Sequence, residues 1–161
     1  MYIMSNNLDV NVSIGELLDK ISILEIKLSK INDENKIKKI KFEYDICYKC
    51  AIKYGVDFKN NYNYENLKKV NLILWQIEDD IRIKEQNKEF DNEFISIARS
   101  VYIINDLRYK KKNIINDFYS KNIIYEVKSY NKEEYSLDNN SIDILTKEYI
   151  QSLKLKFNYI D

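Results

Sequence analysis

The sequence predicts an all-α protein: an antiparallel bundle of four main helices, arranged as two helical hairpins, with a peripheral C-terminal helix. Three observations lead there. Apolar residues recur at steps of three and four through four long stretches, the period of a helix with one buried face. Capping signals stand where those stretches begin and end, Ser13 with Glu16 at one start and Gly55 after one end. The connection near Phe90 is only about four residues long, which forces the helices on either side of it to run antiparallel.

The first helix is expected over Ile14 to Ile31, with Leu17, Ile21, Leu24, Leu28 and Ile31 on its apolar stripe and the S-x-x-E capping box at its start. Asn32 to Asn35 reads as a turn. A second helix, from about Lys36 to Tyr54, ends at Gly55, so the first two form a hairpin. The following "GVDFKNNYNY" is Asn-rich and reads as a loop, because such side chains bond their own backbone. The third helix, about Glu65 to Lys88, carries Leu67, Val70, Leu74, Ile77 and Ile81. The fourth, about Glu93 to Tyr119, carries Phe94, Ile97, Val101 and Ile104. "NIIYEVKSY" is β-branched and aromatic and reads as a short strand that would pair with the N-terminal "YIMSNNLDVNV". Asn131 to Asn140 is a loop, and Ile142, Leu145, Tyr149 and Leu153 mark a last amphipathic helix after Ser141. Residues 1–130 are thus the helical-bundle domain and residues 131–161 a tail with one helix.

Composition excludes more than it suggests. With 161 residues, 45% of them hydrophobic, one core is expected. No apolar run approaches the roughly 18 residues that a membrane span needs, so a cytoplasmic protein without membrane contact is expected. Net charge is zero, which gives no general reason to expect nucleic acid as a partner. Histidine is absent, which removes imidazole bases and His-ligated metals. Two Gly and no Pro leave no phosphate-cradling glycine loop.

One stretch concentrates functional residue types. "LWQIEDDIRIKEQ" holds the only Trp, and Trp75, Glu78, Arg82 and Glu85 share one helical stripe, with Asp79 beside it. All three Arg of the chain, Arg82, Arg99 and Arg108, fall within one segment although Lys outnumbers Arg 23 to 3. A planar guanidinium is the better match where carboxylate or phosphate must be held by two bonds. In an antiparallel hairpin turning near Phe90, facing positions sum to about 180. The stripe would then meet Arg99, Tyr102, Asn105 and Asp106 on the fourth helix, with Arg108 further along it as another candidate ligand-binding residue, and Ala98 would let the backbones approach. In that groove Arg82 and Arg99 would grip an anion, Trp75 and Tyr102 would stack, Asn105 would bond hydroxyls or amides, and Glu78 is the candidate acid/base.

"SIGELLDKISILEIKLSKI", "LWQIEDDIRIKE", "FISIARSVYIINDLRYKKKNIIN" and "YEVKSY" together resemble a family of small bacterial helical proteins known only as a domain of unknown function. The likeness runs from about Val10 to Tyr130. It implies a fold and no activity. The residues that match its pattern are Glu16, Asp19, Lys20, Glu25 and Lys27, then Trp75, Glu78, Asp79, Arg82 and Glu85, then Arg99, Tyr102, Asn105, Asp106 and Arg108.

Blander readings stand beside these. The Glu78–Arg82–Glu85 ladder serves equally as a solvated row of ion pairs, each contributing tenths of a kcal/mol. Trp75 serves as a core-edge anchor. Acids on neighbouring helices suggest Mg2+, yet Glu16 and Asp19 form only one E-x-x-D pair and cations sit in the same cluster, so no metal site and no cofactor is expected. Cys47 and Cys50 spell CxxC without a second pair, and read as reduced core residues. "KIKKIKF" and "YKKKN" read as solvated faces. Two functions remain. The first, favoured because no complete catalytic signature is present, is a non-catalytic binding or accessory module, for which self-association as a homo-oligomer is one option; the alternative is an enzyme or binding protein for an anionic metabolite such as a nucleotide, sugar nucleotide or phosphosugar.

Overall fold

The computed structural model describes residues 7–119, 127–128 and 142–161, and among them every regular element is a helix. The strand expected at 122–130 and the loop at 131–140 lie almost wholly outside the described residues. Residues 7–12 have no regular structure.

Helix α1 spans Ile14–Lys30. Ser13 caps it, its Oγ accepting from the Glu16 amide at 3.1 Å. The second half of the expected capping box does not close, because the Glu16 carboxylate turns to Lys112 of the fourth helix. Helix α2 spans Glu34–Lys53, two residues earlier than its apolar pattern begins, because Asp33 accepts from the Lys36 amide. It ends as expected at Gly55, whose φ of +70° suits a residue without Cβ. Gly55 N–H donates to Ile52 and Val56 N–H to Ala51, the paired closure that satisfies the last carbonyls.

Helix α3 spans Tyr62–Gln86 and takes in three residues expected to be loop. Asn61 caps it, its Oδ1 accepting from Asn63 and Tyr64, so one Asn of the polar run starts a helix. Helix α4 spans Asn92–Tyr119, with the Asp91 side chain on the Phe94 amide. Lys84 reaches Glu89, Asp91 and Glu93 and staples the α3–α4 turn. Helix α5 spans Ile144–Lys156 and is capped by Asp143, two residues later than expected.

α3 and α4 form the expected antiparallel hairpin. α1 does not lie along it but crosses it. On its α4 side Glu16 meets Lys112 and Asp19 meets Arg108; on its α3 side Asp19 meets Asn71 and Glu25 meets Tyr64 and Lys68. Moving along α1 thus carries the chain from α4 to α3, obliquely over the seam. The crossing is close at Gly15, where a Cβ would sit 2.4 Å from the Lys112 carbonyl oxygen. The Gly15 amide donates to Asn116 Oδ1 at 2.6 Å.

Two apolar clusters result. One, beneath α1 and α2, joins Leu18, Ile21 and Leu24 to Ala51, Phe58, Leu67 and Ile115. The other fills the far half of the hairpin, where Ile73, Ile77, Ile97 and Ile104 meet Ile150 and Leu153 of α5 and the tail residue Tyr159. No helix among the described residues is long and apolar enough to cross a membrane.

Candidate functional site

Where α1 leaves the hairpin it opens a re-entrant angle, and a cleft of about 330 Å3 occupies it. α3 supplies Asn71, Leu74, Trp75, Glu78, Asp79 and Arg82, α4 supplies Asn105 and Arg108, and α1 supplies Ile23 and Ile26. Steps of three and four put the α3 residues on one face, and α5 takes the opposite one. Tyr149 Oη donates to Asp80 at 2.6 Å and Lys156 to Gln76 at 2.8 Å, both on the stripe turned away from the cleft.

The inner end of the cleft is a buried network. Asp19 on α1 is 2% exposed. Its two carboxylate oxygens accept from Nε and Nη2 of Arg108, and Oδ1 also accepts from Asn71 Nδ2 at 2.9 Å. Asn71 donates as well to Ser22 Oγ, which donates to the Asp19 carbonyl. A buried carboxylate needs such partners, since an unpaired one costs several kcal/mol. Three helices are thereby fixed through one side chain.

The outer end differs. Arg82 reaches Glu78 by a single contact of 3.4 Å, with the two side chains 69% and 52% exposed. Asp79 stands one turn above Trp75 on the same wall. Glu78 is open to water.

The structure divides the residues expected to share a groove. Trp75, Glu78, Asp79, Arg82, Asn105 and Arg108 line the cleft together; Glu85, Arg99, Tyr102 and Asp106 do not. Arg99 bonds Asp143, the cap of α5, so the two guanidiniums of the expected clamp point to different partners. Asp106 takes Lys128 at 3.2 Å, Tyr102 is 42% exposed, and Glu85 lies on the exposed end of α3. The physical reason is the crossing: α1 covers one edge of the hairpin and α5 the other, so α4 turns Asn105 and Arg108 to one side and Arg99 to the other. Sequence reasoning gave no role to Asn71, Ile23 or Ile26. A signal for Asp19 existed, since an acid and Ser22 sit next to the apolar stripe of α1, where bare polar groups are unfavourable.

A second polar knot lies on the far side of α1. Glu25 accepts from Tyr44 Oη at 3.2 Å, Tyr64 Oη at 2.9 Å and Lys68 Nζ at 2.7 Å. Burial, with the Glu25 charge next to it, pushes the Tyr44 hydroxyl up to about 12 and the Tyr64 hydroxyl higher still. Cys47 and Cys50 are free thiols on α2, and burial raises the Cys47 thiol. Among the described residues no group of three or more His, Cys, Asp or Glu gathers in a way that would hold a metal ion.

The chain belongs to a family of unknown function, DUF6165, whose profile matches residues 8–152. That match takes in every residue of the cleft and runs beyond Tyr130 through most of α5. No curated protein and no solved structure matches the chain.

Proposed function

We propose that this chain is a non-catalytic binding module that holds a small anionic metabolite, such as a nucleotide, sugar nucleotide or phosphosugar, in the cleft between α1, α3 and α4. The observation that carries this reading is the joint placement of Trp75, Arg82, Asn105 and Arg108 around one cavity of about 330 Å3, a size that suits a small metabolite. Arg82 is the anion-binding residue. Its one long contact to Glu78 is easily exchanged for a phosphate or carboxylate, to which a guanidinium presents two parallel donors. Arg108, held by Asp19 through two hydrogen bonds, is a fixed polar wall of the cleft. The Trp75 ring offers a flat apolar face to a base or sugar, and Asn105 offers a donor and an acceptor. Water-exposed Glu78 favours binding over catalysis. Free thiols at Cys47 and Cys50 suit the reducing cytoplasm.

The test is a melting-temperature panel of nucleotides, sugar nucleotides and phosphosugars on the wild type and on Arg82→Ala. The reading expects at least one compound to raise the melting temperature of the wild type and to lose that effect in the variant. No shift from any compound would overturn it.

A second reading, self-association, is favoured by exposed apolar side chains. Leu8, Val10 and Val12 are 90%, 76% and 54% exposed in the segment before α1, and Phe42 is 66% exposed on α2. Light scattering after size exclusion distinguishes it, since a strict monomer at high concentration would remove its support.

A further inference from the structure

We infer that the ligand of this cleft is zwitterionic, carrying a cationic amine beside Asp79 and Trp75 as well as an acid group for Arg82. The inference rests on the binding role proposed above and adds the charge pattern of the ligand. It starts from the charges that face the cleft. Arg108 is matched by Asp19 through two hydrogen bonds, so that pair contributes little net field. Arg82 is matched by Glu78. Asp79 has no partner among the described residues. Among the described residues, the cleft with its Asp19 floor therefore holds three carboxylates against two guanidiniums.

Binding makes this imbalance sharper. Once Arg82 leaves Glu78 for an acid group of the ligand, Glu78 and Asp79 both face the cavity without a cation. A ligand that is only an anion would be repelled by them, and salt would weaken that repulsion because Glu78 and Arg82 are more than half exposed. A ligand with an amine removes that cost. The amine has a natural seat, because Trp75 and Asp79, one turn apart on α3, both line the cleft. Asp79 and Arg82 are three positions apart on one helix face, roughly 4.5 Å of rise between their Cα atoms, so one small molecule can reach both. Amino acids and phosphoamines carry both charges; nucleoside triphosphates and other polyanions do not supply the amine.

Asp79→Asn gives opposite signs for the two charge classes, which is the basis of the test. Isothermal titration would compare a zwitterion set, 4-aminobutyrate and phosphocholine, with an anion set, glucose 6-phosphate and adenosine monophosphate, on the wild type, Asp79→Asn and Arg82→Ala. The expected result is saturable binding of a zwitterion to the wild type, weakened about tenfold or more by Asp79→Asn and by Arg82→Ala. If an anion binds best, Arg82→Ala abolishes it and Asp79→Asn tightens it, then the anion site stands and the zwitterion inference falls. If neither set binds the folded wild type, both fall. Circular dichroism melts of the two variants, each altered at an exposed or half-buried position, would confirm that they fold.

Discussion

Two arginine–carboxylate pairs border the same cleft and do different work. Asp19 and Arg108 join α1 to α4 with two hydrogen bonds around a carboxylate that is 2% exposed. Glu78 and Arg82 are neighbours on α3, four residues apart, with one contact of 3.4 Å and most of both side chains in water. The chemistry is the same and the surroundings are not. Burial turns the first pair into an anchor, because the Asp19 carboxylate has no water to fall back on if Arg108 leaves. Exposure leaves the second pair worth only tenths of a kcal/mol, and therefore free to exchange partners. A binding cleft requires both, a fixed wall and a group that can move.

The largest expected effect comes from breaking the buried pair. Asp19→Ala leaves Arg108 and Asn71 facing an apolar gap, and should destabilise the fold by about 3 kcal/mol in urea titration. Replacing both ends of the pair by Leu and Met should recover most of that loss. If Asp19→Ala melts like the wild type, the anchor is not one. Next is Gly15→Ala at the crossing, where the added methyl meets the Lys112 carbonyl oxygen and α1 must lift. About 1–3 kcal/mol is expected from the same titration.

A smaller effect separates the knot around Glu25 from both pairs by its pH dependence. The Tyr44 hydroxyl is raised from 10 to about 12 in the folded chain. Its contribution is therefore complete below pH 10 and lost as pH rises through 12, since the folded state holds the proton more tightly than the unfolded one. Tyr44→Phe should flatten the fall in stability between pH 10 and 12; equal slopes for both proteins would count against the Tyr44–Glu25 bond. The smallest stability effect is expected at Arg82→Ala, within about 0.5 kcal/mol of the wild type. A loss of several kcal/mol there would mean that Arg82 is an anchor as well.

The same contrast explains how much could be read from the sequence. Helix starts at Ser13 and the stop at Gly55 are local chemistry, carried by residues a few positions apart. The α3–α4 hairpin follows from its short turn, and six residues of the expected groove do share a cleft. What periodicity does not contain is the angle at which α1 crosses that hairpin. A stripe says which face is buried and is silent on how the partner lies over it. For that reason Arg99 was expected beside Arg82 and is found on Asp143 instead. The Asp19–Asn71 bond joins residues 52 positions apart on different helices, and no local pattern marks Asn71. Asn61, read as loop, caps α3 because its Oδ1 meets two free amides.

Trp75 is the only tryptophan of the chain and lies in the cleft wall, so its emission reports on that cavity alone. The most direct test is a fluorescence titration of the wild type and of Arg82→Ala, with the same ligand set and the folded state of each checked by its melting curve. The expected result is a saturable change in Trp75 emission in the wild type that is lost in the variant while its melting temperature is kept. Emission unchanged by every ligand, or a titration identical in both proteins, would contradict a cleft that binds through a movable Arg82.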